Sequence, residues 1–163
     1  RAKALARSLE KGDAQRASIE VVAFTLSDEL YAVESLHVRE VLPLKGWTSL
    51  PSAPSHVLGI INIRGQIVSI LDLRVLFQLP HRELTRSTRV VVLQSREMEM
   101  GILADAVVDA RSVFLDQVHD PPPTLTGARK AYLRGVAGRD LVMLDAARLL
   151  GDKSLVVNEE VEM

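Results

Sequence analysis

The chain contains no cysteine. That absence excludes a disulfide framework, a thiolate zinc site and a cysteine nucleophile, and it agrees with a cytoplasmic setting. An excess of one charge is missing as well: 20 Lys and Arg stand against 21 Asp and Glu, a formal net charge of -1. With no global field, neither nucleic acid nor an anionic membrane is an expected partner. Long apolar runs are also absent. The stretch 57–61 falls far short of the roughly 20 residues that span a bilayer, and no signal-peptide core opens the sequence, so direct membrane insertion is not expected. What is present is ordinary for a globular domain: 163 residues, 47% apolar and 25% charged, enough chain to bury roughly 70% of its unfolded surface.

Residues 1–18 read as a short helix on the domain edge, because Ala2, Leu5, Ala6 and Leu9 share one face before Gly12-Asp13 stops it. From Ile19 the texture changes to short apolar runs at 19–26, 31–34, 39–44, 58–63, 66–71, 89–94, 98–104 and 106–114, each bounded by turn residues. These are strands. Two stretches differ: 72–79 and 145–151 carry apolar residues at helical spacing behind Asp72 and Asp145, side chains suited to cap a first turn. Residues 121–129, opening on three prolines, read as extended or loop. The last ten residues, with Glu159, Glu160 and Glu162, read as an acidic tail.

The chain also contains itself twice. The run from Gly65 to Asp72, followed by Leu76, aligns without gaps on the run from Gly138 to Asp145, followed by Leu149. Upstream, Val21-Val22-Ala23-Phe24, Tyr31-Ala32-Val33 and Val38-Arg39-Glu40 align with Val90-Val91-Val92-Leu93, Met100-Gly101-Ile102 and Val107-Val108-Asp109. Two similar β subdomains follow, about 19–86 and 87–151, between the extension 1–18 and the tail 152–163. Neither half has enough residues for a generous core, so each is expected to complete the other's burial.

No constellation for chemistry emerges. His37, His56, His81 and His119 form no metal-binding spacing, and no serine sits in a nucleophile elbow. Gly59 and Gly65 flank a strand rather than a phosphate-binding helix, so they read as backbone devices, Gly65 in a tight turn and Gly59 at a bulge or close chain approach. Asp72 and Asp145 are better explained as caps than as an acid pair. Met98 and Met100 share one face of a strand, and Trp47 lies in a loop where its ring covers a barrel edge or meets a partner. No catalytic residue, metal or cofactor is assigned.

The runs Phe24-Thr25-Leu26-Ser27-Asp28-Glu29-Leu30-Tyr31-Ala32-Val33, Leu50-Pro51-Ser52-Ala53-Pro54, Gly59-Ile60-Ile61-Asn62-Ile63-Arg64-Gly65, Ile70-Leu71-Asp72-Leu73-Arg74 and Tyr132-Leu133-Arg134-Gly135 resemble the CheW family of bacterial chemotaxis coupling proteins. The resemblance covers about 19–151. It implies a mainly β fold of two intertwined SH3-like five-stranded barrels with short capping helices. It also implies a non-catalytic scaffold between the cytoplasmic tip of methyl-accepting chemoreceptors and a CheA-type histidine kinase, recruited to receptor arrays at the inner membrane. Ser27, Ala32 and Ala106 depart from the pattern, standing where glycine is common.

Matched residue by residue, the resemblance puts Val38, Glu40, Gly59, Arg64 and Gly65 at positions used for receptor coupling, with Gly101, Val107, Asp109 and Ala110 as neighbours across the groove between barrels. Arg64 is expected to pair with Glu40. Trp47 and Gln66 are the candidates for kinase contact through exposed barrel ends. Since the sequence opens on Arg1, the nearest alternative is a CheW-like regulatory part of a larger protein, a kinase or a coupling protein with a receiver domain. From another class, a small hydrolase or ligand-binding β barrel using His56 or His119 with Asp72 ranks last.

Overall fold

The computed structural model describes residues 16–156. The expected N-terminal helix falls outside these residues except at its end, where Ser18 already begins a strand. Twelve strands follow in chain order. They are β1 (Ser18–Leu26), β2 (Glu29–Glu34), β3 (Val38–Pro43), β4 (Trp47–Thr48), β5 (Val57–Ile63) and β6 (Gln66–Leu71), then β7 (Arg89–Gln94), β8 (Glu99–Ala104), β9 (Ala106–Phe114), β10 (Val118–His119), β11 (Leu133–Ala137) and β12 (Leu141–Leu144). Short helices α1 (Leu73–Leu76), α2 (Gly127–Ala131) and α3 (Ala146–Gly151) and three 3-10 turns, Ser35–His37, Leu115–Gln117 and Lys153–Leu155, complete the described elements.

The strands form two six-stranded sheets, β10-β11-β12-β2-β1-β9 and β3-β7-β8-β6-β5-β4. Each holds five strands of four or more residues, the five expected, plus a two-residue strand, β10 or β4, that no run of alternation could announce. Each half of the sequence lends its opening hairpin, β1–β2 or β7–β8, to the sheet built mainly by the other half. The exchange is sealed by two parallel pairs in equivalent register, Ile70 opposite Gly101 and Met143 opposite Ala32.

Side-chain parity explains why the central strands are apolar throughout. On β1, β2 and β12, Val21, Ala23, Ala32, Leu141 and Met143 fill the inside of their own sheet, joined by Val113 of β9 and Ala137 of β11. Val68, Ile70, Val90, Val92 and Leu103 do the same in the other sheet. The intervening residues of the same strands, Phe24, Tyr31, Val33, Leu71, Val91, Leu93, Met100, Ile102, Val142 and Leu144, meet in a third and larger core between the two sheets. Met100 is buried in this shared core, and Met98, partly buried, packs against it.

Two local readings are corrected. Residues 127–129, expected as loop, belong to α2, where the Tyr132 N–H donates to the Ala128 carbonyl and the Arg129 guanidinium lies over the Tyr31 ring. The tail expected from residue 152 does not begin there. Asp152 caps the Lys153–Leu155 turn and Leu155 is buried in the shared core; residues 157–163 lie outside the described residues. The caps at Asp72 and Asp145 are as expected, with their carboxylates accepting from the Arg74 and Arg148 N–H groups.

Candidate functional site

Four of the matched positions, Val38, Glu40, Val107 and Asp109, flank two equivalent bulges. In the pairing of β3 with β7 the register slips between Val38 and Glu40, opposite Leu93 and Val92. In the pairing of β1 with β9 it slips between Ala23 and Phe24, opposite Asp109 and Val107. A bulge re-aims the side chains that follow it. Val38 and Val107 therefore hold the same place in the two halves, each packed at the margin of the shared core, and Glu40 and Asp109 hold the same outward place.

Each outward carboxylate has an arginine. Glu40 accepts from both terminal nitrogens of Arg64, at 2.6 and 3.0 Å, so the expected pairing is present and takes a two-pronged form. Asp109 accepts from the Arg111 Nε at 2.8 Å. The Arg64 side chain is 64% exposed, while Glu40 is mostly covered and also lies 3.6 Å from the Arg39 guanidinium. The hydrogen bond from Arg64 holds the Glu40 carboxyl below its ordinary range, and Glu40 raises Arg64 in return. Arg64 and Gly65 form the β5–β6 turn, both in the left-handed region with φ of 50° and 87°. Asn62 closes that turn by accepting from the Gly65 N–H at 2.9 Å.

The two other glycines act through packing. A Cβ on Gly59 would stand 2.1 Å from the Thr48 carbonyl oxygen, so this glycine is what lets β4 approach β5. Gly135 plays the same part beneath His119, at 2.5 Å. Gly101, placed by sequence across the groove, is instead buried in β8 and offers no surface. A Cβ there would press on Val90 at 2.6 Å inside the sheet. The correction follows from parity, because residue 101 shares the face of Leu103. Trp47 is half-buried against the inner core of its sheet, opposite Ile61, while Gln66 is exposed at the β5–β6 turn opposite Ile63. Ala110 is exposed on β9 opposite Val22.

A buried charged cluster escaped the sequence reading. Arg74, only 3% exposed, donates from Nε and Nη2 to the two oxygens of Asp72, each at 2.9 Å, and from Nη1 to Asp105 at 2.8 Å and the Arg82 carbonyl at 2.9 Å. The hydrogen bond to Asp72 is the main influence raising the Arg74 pKa. Asp105 also accepts from the Ser27 N–H at 2.6 Å, and the Ser27 hydroxyl donates to the Pro80 carbonyl. Ser27 and Asp28 have φ of 49° and 71°, a conformation that costs a non-glycine residue roughly 1–2 kcal/mol. The cluster holds that turn in place. Asp72 therefore does more than cap α1.

The His56 and His119 side chains do not hydrogen-bond to Asp72, which meets His56 only through the main chain, the Asp72 N–H donating to the His56 carbonyl at 2.7 Å. The His56 Nε2 lies 2.9 Å from the Leu155 carbonyl oxygen, His119 stands on the short strand β10, and Asp72 is taken up by Arg74. Ser154 donates to Asp152 rather than to a histidine, and with Tyr132 it draws the Asp152 carboxyl below its usual range. Burial pushes the Tyr132 hydroxyl up to about 12. Among the described residues no three His, Asp or Glu side chains converge to hold a metal ion, and no helix is long and apolar enough to cross a membrane.

Two interlocked curled sheets with paired bulges and an ion-paired edge define a two-barrel module. The CheW-like domain family matches residues 20–154, so the chain belongs to that family. It is 29% identical over 143 residues to the chemotaxis protein CheW of Treponema pallidum, covering 83% of this chain and 84% of that one. It is 30% identical over 145 residues to the chemotaxis protein CheW of Klebsiella aerogenes, covering 87% of each. The crystal structure of the scaffolding protein TtCheW from Thermoanaerobacter tengcongensis superposes with a TM-score of 0.71 at 27% identity, covering 78% of this chain and 89% of that one.

Proposed function

We propose that this protein is a non-catalytic chemotaxis scaffold that couples the cytoplasmic tip of methyl-accepting chemoreceptors to a CheA-type histidine kinase. The carrying observation is the family match across residues 20–154, joined to near full-length similarity to proteins named chemotaxis protein CheW. In this reading the receptor meets the edge formed by Val38, Glu40, Arg64 and Gly65, with Val107, Asp109 and Ala110 alongside. Apolar members supply area removed from water at about 25 cal/mol per Å², and Arg64 orients a carboxylate of the partner. Trp47 and Gln66, on the barrel formed by β3 to β8, serve kinase contact. The protein works in the cytoplasm, held at receptor arrays by its partners.

The test is co-sedimentation of the full chain with a purified receptor cytoplasmic fragment and purified CheA-type kinase. Wild type is retained by both. Arg64→Glu loses the receptor fragment and keeps the kinase, with Trp47 emission unchanged as the measure of an intact fold. Retention by neither protein, or receptor binding untouched by Arg64→Glu, overturns the reading.

A further inference from the structure

The two halves are not equally closed. Asp72-Leu73-Arg74 aligns with Asp145-Ala146-Ala147, so the place that Arg74 fills in the first half is held by alanine in the second. A cleft of about 310 Å³ opens there, between the β7–β8 turn, the Ser35–His37 turn and α3. Met98, Ala147 and Leu150 give it an apolar floor, and Arg96, Lys153 and His37 stand at its rim, against one carboxylate, Glu97. Arg96 and Lys153 pair with no carboxylate among the described residues. Leu36, on the same turn as His37, is 82% exposed. A smaller hollow of about 180 Å³ continues past His37 and Ala147, where Glu34 and Arg134 satisfy each other.

Folding does not require this opening, since the equivalent place in the first half is filled. Nor do the described residues cross it. After Lys153 the turn carries Leu155 into the shared core and sets its carbonyl against His56, and neither Leu155 nor Val156 lines the cleft. An apolar floor under unpaired cations fits a ligand of opposite charge with an apolar anchor.

We propose that this cleft is a docking site for an acidic segment of a partner protein, seating an apolar side chain on Met98 and Leu150 and carboxylates on Arg96 and Lys153. It shares no residue with the Glu40–Arg64 edge, and the proposal stands whether or not that edge binds a receptor.

The test uses the full chain, labelled with nitrogen-15, and two blocked synthetic peptides, Glu-Leu-Glu-Glu-Leu-Glu and its lysine counterpart, followed by amide chemical shifts. The acidic peptide gives saturable shifts clustered at Arg96, Ala147 and Lys153. Its affinity falls about tenfold in the double variant Arg96→Glu, Lys153→Glu, and Ala147→Trp, which fills the floor, also abolishes the clustered shifts while the remaining spectrum stays folded. Scattered shifts, equal response to the lysine peptide, or indifference to the charge reversal overturns the proposal. Movement of the Arg96 and Lys153 amides on removing residues 157–163, with no peptide added, assigns the cleft to the chain's own end and overturns it too.

Discussion

Gly59 lies so close beneath Thr48 that a methyl group on it would overlap the Thr48 carbonyl oxygen at 2.1 Å. The obstacle is backbone rather than a flexible side chain, so relief requires β4 to move away from β5. Gly59→Ala is expected to cost about 1–3 kcal/mol, the usual range for overpacking. Urea unfolding measures the loss. Trp47, the single tryptophan and half of β4, reports the displacement through its emission. Gly59 thus acts on the neighbouring edge through β4, and an alanine variant with native stability and unaltered emission would refute that account.

Glu40 supplies a pH prediction. Its folded pKa lies below the ordinary carboxylate value of about 4.3. A depressed carboxyl contributes its stabilisation above the unfolded pKa and loses it as pH falls through the folded value. The Glu40–Arg64 fork therefore persists through neutral and mildly acidic solution and opens only below the usual carboxylate range. Carbon-13 titration of the Glu40 carboxyl shows the low midpoint, and Arg64→Ala raises it.

Removing Arg74 leaves two carboxylates at a covered junction without their cation. Arg74→Ala is expected to destabilise by about 3–5 kcal/mol, the range for breaking one side of a buried ion pair. Arg74→Lys recovers only part of this, because a single ammonium cannot span Asp72, Asp105 and the Arg82 carbonyl together. Chemical denaturation of the three proteins ranks them, and equal stability of the alanine and wild-type chains would contradict the cluster's role.

Leu155 is buried in the shared core although it lies after the last α-helix. Leu155→Ala is expected to cost about 2–5 kcal/mol, whereas Val75→Ala, at a position 41% exposed, costs far less. Thermal unfolding separates the two cases.

Interlocking predicts a single unfolding transition. Hydrogen exchange at β1, β6, β8 and β12 should show similar maximal protection, since every one of them borders the shared core. Protection confined to one sheet would count against mutual burial.

Much of this architecture was legible beforehand. The runs 66–71, 89–94 and 106–114 match β6, β7 and β9 to the residue, because turn residues bound each of them sharply. Repetition pointed to two similar units, but the bounds 19–86 and 87–151 do not delimit the two sheets, each of which takes a hairpin from the other half; the family pattern brought Arg64 to Glu40. The hairpin exchange was not derivable from alternation, which says that a strand is covered on both faces but not by which neighbour. Gly101 was placed beside the groove by the family resemblance alone, while parity within β8 turns it inward. Arg74 escaped because Asp105, far along the chain, supplies half of its setting, and the local motif already had a sufficient explanation in capping. The cover given by Leu155 likewise depends on a loop, around His56, that the sequence places in the opposite half.

The traded hairpins make this chain equivalent to a two-fold homodimer whose subunits have been fused tail to head. Division within residues 79–88 would therefore yield fragments that each expose an orphaned sheet and seek the missing partner. A single fused chain can also carry different side chains at its two equivalent faces, and arginine at position 74 against alanine at 147 is such a difference.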